Sequence, residues 1–310
     1  MHKILNLKEF LKSSNIDIGN NKTFIVAEIG SNHNHDLNIA KRLIGFASNA
    51  GADAVKFQSI SLNELYDNPN KSIRELYKKI ELQKSFFEKI FNYCKNKNIL
   101  CFSSPTYLKA IDYLEELDVK LYKIASPQTA TFPQLIERIA RTNKPTIMST
   151  GYCNEYEIAR AVRVFKKYNQ NLALLHCISE YPTDYKLANL NFIKILKKQH
   201  HIPVGFSDHS LGIELSIAAV AMNANIIEKH ITLSRNMVGP DHHFALEPSE
   251  FKNMIRAIRN IEFAKGNIIK TPTYKELDTI NYLRMKTKNG KIFKRDINGI
   301  NAWALYPFKK

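Results

Sequence analysis

Eight short apolar runs recur along the chain, and polar residues follow each of them. The runs are rich in Val, Ile, Leu and Phe, which is typical of strands buried on both faces of a parallel sheet. An amphipathic stretch with helical spacing comes after each run. The runs span residues 23–29, 54–58, 99–103, 121–124, 146–149, 172–177, 204–207 and 226–228. Eight such β-α units predict an α/β fold, the (β/α)8 TIM barrel.

The polar residues after these runs define the expected active site. In a TIM barrel the catalytic residues gather at the C-terminal ends of the strands, so all eight ends converge on one mouth. The ends carry Glu28, Lys56, Gln58, Ser104, Lys123, Ser126, Ser149, Ser179, Ser207, His209, Lys229 and His230.

The length of the chain leaves room for extensions around the barrel. Its 310 residues exceed the roughly 250 that are typical of this fold. We assign residues 1–22 to an N-terminal extension, 23–265 to the barrel, and 266–310 to a basic C-terminal tail. Within the barrel, Asn154 and Glu157 predict a capping box at the start of a helix.

Composition narrows the possible partners and the compartment. The chain has neither an apolar run of 18 residues nor a leader pattern, so we expect a cytoplasmic protein without a membrane partner. The net charge of +16 is spread along helices with interleaved acids, and no nucleic-acid-binding motif accompanies it. We therefore expect no nucleic-acid partner. The four cysteines form no Cys-x-x-Cys pair, which favours reduced thiols over disulfides or a zinc site.

Two histidines at neighbouring strand ends predict a metal site. His209 and His230 end successive strands, so they should lie side by side on the rim of the mouth and share one divalent ion. We expect Glu28 to lie across the mouth from them. It should bind the ion through water or act on the substrate.

Lysines and serines at the other strand ends predict an anion site. Buried lysines are costly unless an anion pairs with them, and ammonium and hydroxyl groups suit phosphate and carboxylate oxygens. Each serine has an alternative role, which is to satisfy neighbouring backbone groups. The mouth is therefore expected to bind an acidic, phosphorylated small molecule beside a metal. The residues concerned are Lys56, Lys123, Ser104, Ser126, Ser149 and Ser207.

Nine ordered strings across the barrel resemble the sialic acid synthase family. That family comprises N-acetylneuraminate synthases and their legionaminate and pseudaminate relatives. The strings are EIGSNHNHD (28–36), AGADAVKFQ (50–58), FSSP (102–105), YKIAS (122–126), MSTG (148–151), HCISEYPT (176–183), GFSDHSLG (205–212), EKHIT (228–232) and GPDHHFALEP (239–248).

The resemblance implies a condensation of phosphoenolpyruvate with the open-chain aldehyde of an N-acetylated hexose such as N-acetylmannosamine. The products would be a nine-carbon 2-keto-3-deoxy acid and phosphate. It also implies a homodimer and a divalent metal, usually Mn²⁺ with Mg²⁺ or Co²⁺ as alternatives, held by His209 and His230. The matching catalytic positions are Glu28, Lys56, Lys123 and Asp241. The matching substrate-binding positions are Gln58, Ser104, Ser126, Ser149, Ser179, Tyr181 and Ser207.

The chain also departs from the family pattern. Gln128 stands where many relatives carry an acid, and Ser179 stands where some carry Asn. Residues 266–310 are expected to lack the antifreeze-like domain that most members append.

Two other functions stay open. One is a lysine Schiff-base aldolase that uses Lys123 or Lys56 without metal. The other is a non-catalytic barrel that binds a partner.

Overall fold

Eight parallel strands form the centre of residues 1–265 in the computed structural model. Hydrogen bonds join them in the order β3-β2-β1-β8-β7-β6-β5-β4, and β3 also contacts β4, so the sheet forms a nearly closed barrel. The predicted TIM barrel is confirmed. The strands are β1 (Phe24–Gly30), β2 (Ala54–Ser59), β3 (Leu100–Pro105), β4 (Tyr122–Ile124), β5 (Thr146–Ser149), β6 (Leu172–Cys177), β7 (Val204–Asp208) and β8 (Ile226–His230).

The structure describes residues 7–12, 22–266, 269–283, 286–288, 291–292 and 300–301. By its internal contacts the chain divides into two units, residues 1–265 and residues 266–310. The helices of the first unit are α1 (Leu7–Lys12), α2 (Leu37–Ala50), α3 (Leu62–Leu65), α4 (Lys71–Ile80), α5 (Lys84–Asn96), α6 (Leu108–Glu116), α7 (Ser126–Thr131), α8 (Pro133–Ala140), α9 (Glu155–Lys166), α10 (Phe192–His200), α11 (Glu214–Ala221) and α12 (Pro248–Ala264).

Helix starts follow the local sequence signals. At α9 the Asn154 side chain accepts a hydrogen bond from the Glu157 backbone N–H, and the Glu157 side chain accepts one from the Asn154 backbone N–H. The predicted capping box is therefore confirmed. Such reciprocal caps satisfy backbone donors that the first helical turn leaves unpaired.

The barrel interior is apolar towards the N-terminal ends of the strands. Since side chains alternate between the two faces of a strand, every second residue points inward. Helix α1 adds two buried side chains, Phe10 and Leu11, to this layer. Its strand members are Phe24, Val26, Ala54, Phe102, Leu121, Ile147, Ala173, Leu175 and Ile226. This apolar layer closes the end of the barrel opposite the mouth.

One glycine is required inside the barrel. A Cβ atom on Gly205 of β7 would lie 2.2 Å from the Ile226 carbonyl oxygen and 2.7 Å from Leu175 Cδ2. The strands on either side of β7 therefore leave no space for a side chain at position 205, and only glycine fits there.

The second unit has elements that the sequence analysis did not assign. Residues 266–310 contain α13 (Tyr274–Leu283) and an antiparallel sheet of β9 (Lys286–Lys288), β10 (Lys291–Ile292) and β11 (Ile300–Asn301), in the order β10-β9-β11. Across the described parts of both units, every helix is too short or too polar to cross a bilayer.

Candidate active site

Strand alternation brings the polar residues of β1, β2, β7 and β8 onto the inner face of the barrel at its C-terminal end. Glu28 of β1 lies in register with Lys56 on one side and with His230 on the other, so its predicted position across the mouth from the histidines is wrong. Ser207 of β7 lies in register with Glu228 of β8. All five side chains are buried. This polar layer rests directly on the apolar layer that closes the barrel.

Two lysines and two glutamates form a buried charge cluster in this layer. Lys56 Nζ lies 2.8 Å from Glu28 Oε2 and 3.7 Å from Glu228 Oε2, and it donates a 3.1 Å hydrogen bond to Ser104 Oγ. Lys123 Nζ lies 3.3 Å from Glu228 Oε1. Glu228 therefore bridges the two ammonium groups, while Glu28 contacts only one of them.

The four charged groups titrate differently. Burial lowers the pKa of Lys56, but Glu228 and Glu28 together raise it above its ordinary value. Burial raises the pKa of Glu28 and outweighs the lowering by Lys56. Burial also raises the pKa of Glu228, but Lys123 and Lys56 together lower it to about 2. For Lys123, burial lowers the pKa and Glu228 compensates only in part. The ammonium of Lys123 thus lacks a full counter-charge, and an anionic ligand would supply one.

The sequence pattern predicted no role for Glu228, and the predicted position of Lys229 at the mouth is wrong. Lys229 lies on the outer face of β8, where its Nζ is 3.0 Å from Asp208 Oδ2. Alternation along the strand was the available signal, because Glu228 stands two residues before His230 and must share its face.

The two histidines lie side by side in the mouth. Their ring centroids are 5.4 Å apart, and both side chains are buried. His209 Nδ1 donates a 2.8 Å hydrogen bond to the Ile178 carbonyl oxygen, which fixes the ring, and Nε2 lies 3.5 Å from Ser207 Oγ. Burial lowers the pKa of His230 to about 3, so this imidazole is neutral at physiological pH.

This pair fits a divalent cation. His230 Nδ1 is buried without a hydrogen-bond partner in the described part of the chain, and it lies 3.9 Å from Asp241 Oδ2. Imidazole nitrogens are the common ligands of first-row divalent metals. No group of three or more His, Cys, Asp or Glu within the described ranges is arranged to hold an ion. The protein would therefore supply two ligands and leave the other positions to water or substrate.

Gln58, Tyr181 and Asp241 surround the charge cluster and the histidines. Gln58 Nε2 donates a 2.9 Å hydrogen bond to Glu28 Oε1. The Tyr181 ring stacks on His209 with centroids 4.3 Å apart, and it is 46% exposed, so it lies at the outer edge of the mouth. Asp241 accepts a 2.8 Å hydrogen bond from Ser31 Oγ. These three residues line the side of the mouth that faces solvent.

Serines at the ends of β4, β5 and β6 form the other side of the mouth. The Gly151 N–H donates a 3.0 Å hydrogen bond to Ser126 Oγ. A Cβ atom on Gly151 would lie 2.2 Å from Ser179 Oγ and 2.8 Å from Ser126 Oγ, so these hydroxyls crowd around the glycine. The hydroxyls of Ser149 and Ser179 are buried and have no hydrogen-bond partner among the described residues.

These unpaired hydroxyls bear on the alternative role considered for the serines. Ser126 takes that role, because it accepts the Gly151 N–H. Ser149 and Ser179 do not satisfy backbone groups, whereas Ser104 and Ser207 bond to Lys56 and Glu228. A buried polar group without a partner costs roughly 1–3 kcal/mol, which a polar ligand recovers when it binds. The mouth is thus prepared for a ligand that carries several hydrogen-bond acceptors.

Residues 43–270 match the model of the NeuB family. The chain belongs to the NeuB family. It is 42% identical to an uncharacterised protein of Methanocaldococcus jannaschii over 89% of this chain and 80% of that protein. It is 40% identical to the N,N'-diacetyllegionaminic acid synthase of Campylobacter jejuni over 93% of this chain and 94% of that enzyme.

A solved structure shows the same likeness. The N-acetylneuraminic acid synthetase of Leptospira borgpetersenii, crystallised with citrate, superposes with a TM-score of 0.79 at 38% identity, over 85% of this chain and 92% of that one. Together with the named synthases, this places our NeuB-family protein among transferases that form carbon–carbon bonds. The resemblance inferred from the nine strings is confirmed.

Proposed function

We propose that this NeuB-family protein is a nonulosonic acid synthase. It condenses phosphoenolpyruvate with the open-chain form of an N-acetylated hexose such as N-acetylmannosamine, and it releases phosphate. The observation that carries the proposal is the buried mouth, in which Lys56, Lys123 and unpaired serine hydroxyls adjoin the pair of histidines. We assign the activity to residues 23–265, in a cytoplasmic homodimer.

The anion side of the mouth binds phosphoenolpyruvate. Lys123 supplies positive charge that Glu228 neutralises only in part, and Lys56 supplies a second ammonium. The hydroxyls of Ser149 and Ser179 donate to carboxylate or phosphate oxygens. Ser104, Ser126 and Ser207 complete this side of the mouth.

His209 and His230 hold a divalent cation, for which we propose Mn²⁺ with Mg²⁺ or Co²⁺ as alternatives. When bound, the cation acts as a Lewis acid towards the aldehyde oxygen. Gln58, Tyr181 and Asp241 orient the sugar at the open side of the mouth.

The reaction makes one carbon–carbon bond and breaks one carbon–oxygen bond. C3 of phosphoenolpyruvate attacks the aldehyde carbon, and the aldehyde oxygen takes up a proton. Glu28 is suited to exchange protons with the aldehyde oxygen and the attacking water, because burial raises the pKa of its carboxyl. Water then adds at the cationic C2 and loses a proton. The resulting tetrahedral adduct expels phosphate and leaves the 2-keto acid.

The assay is phosphate release from phosphoenolpyruvate with Mn²⁺ against a panel of N-acetylated hexoses. With oxygen-18 in the bridging position, we expect the label in the phosphate, because water attack at C2 forces cleavage of the C–O bond. Label retained in the keto acid would exclude this mechanism. Chelation should abolish turnover, and Mn²⁺ should restore it.

A Schiff-base aldolase gives different results in the same experiments. It would work without metal, and borohydride with a keto substrate would trap Lys123 or Lys56 covalently. A metal-independent reaction with such a covalent adduct would replace the proposed function. Binding of a protein partner with no turnover on any hexose would favour a non-catalytic barrel.

A further inference from the structure

A buried ion pair lies directly behind the two histidines. Asp208 precedes His209 at the end of β7, and Lys229 precedes His230 at the end of β8. The two residues are in register, and Lys229 Nζ lies 3.0 Å from Asp208 Oδ2. Because neighbouring residues of a strand point to opposite faces, the pair lies on the helix side of the sheet while the histidines face the mouth.

Every polar atom of this pair has a partner. Asp208 Oδ1 accepts hydrogen bonds from the backbone N–H and the hydroxyl of Ser210, at 2.9 and 2.6 Å. Asp208 Oδ2 accepts one from Ser216 Oγ of α11 at 2.6 Å. Lys229 Nζ donates a 2.6 Å hydrogen bond to the Ser210 carbonyl oxygen. The network thus joins β7, β8, α11 and the loop after His209.

The energy of such a pair does not explain its presence. Removing two charges from water costs about as much as their attraction returns, so well-packed apolar residues would be equally or more stable there. Directional hydrogen bonds do fix geometry, however, and this network fixes the backbone on both sides of His209 and immediately before His230. The separation of the two imidazoles follows from that backbone.

We propose that Asp208 and Lys229 are positioning residues that set the spacing of His209 and His230 for a shared divalent cation. The inference rests on the proposed function, which places the cation at these histidines. Residues behind the ligands of a metal site commonly control its affinity in this way.

The test compares Asp208→Asn with Asp53→Asn. Asp53 is a matched control at the opposite end of the barrel, where its Oδ2 accepts a 2.7 Å hydrogen bond from the Ile25 N–H and lies 3.3 Å from Arg259 Nη2. Calorimetric titration with Mn²⁺ should show about tenfold weaker binding for Asp208→Asn and no change for Asp53→Asn. Ser216→Ala, a milder change, should weaken Mn²⁺ binding in the same direction by a smaller factor.

A second measurement separates this inference from the proposed function. In metal-free protein labelled with ¹⁵N-histidine, the ring signals of His209 and His230 should shift in Asp208→Asn and stay in place in Asp53→Asn. Unchanged ring signals and unchanged Mn²⁺ affinity in folded Asp208→Asn would overturn the positioning role and leave the proposed function intact. Shifted ring signals in a protein that binds no divalent cation would support the positioning of the rings and overturn the cation site.

Discussion

Replacing Glu228 by Gln should destabilise the protein through the lysines that this glutamate bridges. The substitution keeps the shape of the side chain but removes a charge 3.3 Å from Lys123 Nζ and 3.7 Å from Lys56 Nζ. Lys56 retains Glu28 at 2.8 Å. In the described structure Lys123 has no other carboxylate within ion-pair distance, so its ammonium would remain buried without a counter-charge.

The size of the effect follows from the pKa of Glu228. The difference between its ordinary value of 4.5 and about 2 corresponds to about 3 kcal/mol of unfolding free energy. Removing one partner of a buried ion pair typically costs about 3–5 kcal/mol, which agrees with the value from the pKa of Glu228. Because the folded-state pKa is the lower one, this stability is fully present above pH 4.5 and is lost as the pH falls towards about 2.

The assay is urea unfolding of both proteins at several pH values between about 7 and about 3. The wild type should exceed Glu228→Gln by about 3 kcal/mol near neutral pH, and the gap should narrow below pH 4.5. Glu137→Gln is the control. Its Oε1 accepts a 2.7 Å hydrogen bond from Arg141 on the surface, and the loss should stay below about 0.5 kcal/mol.

Two outcomes would refute this reasoning. One is a Glu228→Gln variant as stable as the wild type near neutral pH. The other is a stability gap that does not change with pH, since that gap would come from lost packing rather than from charge. Phosphoenolpyruvate should stabilise Glu228→Gln more than the wild type, because its anionic groups would replace the missing charge beside Lys123.

Three further predictions concern single positions. Gly151→Ala should raise the Michaelis constant for phosphoenolpyruvate about tenfold, because its Cβ would displace the hydroxyls of Ser126 and Ser179; steady-state kinetics measures this. Gly205→Ala should lower the unfolding free energy by about 3 kcal/mol or more in urea, because its Cβ would meet the Ile226 carbonyl oxygen. Burial lowers the pKa of His209, but Cys177, the Ile178 carbonyl and Glu228 together raise it above its ordinary value of 6.5, so competition from protons should already weaken Mn²⁺ binding before the pH falls to 6.5 in pH-dependent titrations.

Much of the fold could be predicted from the sequence because the parallel strands are buried on both faces. Such strands appear as continuous apolar runs, and the predicted runs agree with β1 to β8 within two residues at either end. β7 and β8 extend further than predicted, to Asp208 and His230, because Asp208 and Lys229 pair with each other and can continue a buried strand.

The sequence could place polar residues at the strand ends but not their contacts. The side to which Lys229 points depends on strand register, and the bridge from Glu228 to two lysines depends on distances across the barrel. The unpaired hydroxyls of Ser149 and Ser179 are also invisible in a sequence, because any serine there could equally have bonded to the backbone. Helix α13 and the small sheet after it show no strong hydrophobic pattern that would have predicted them.

Helix α1 has a consequence for the water that the proposed reaction consumes. Phe10 and Leu11 close the end of the barrel opposite the mouth, above a layer of apolar strand residues. In the described barrel, solvent therefore reaches Glu28, Lys56 and Lys123 through the mouth alone. In the proposed reaction, the hydrolytic water and both substrates would share this one entrance.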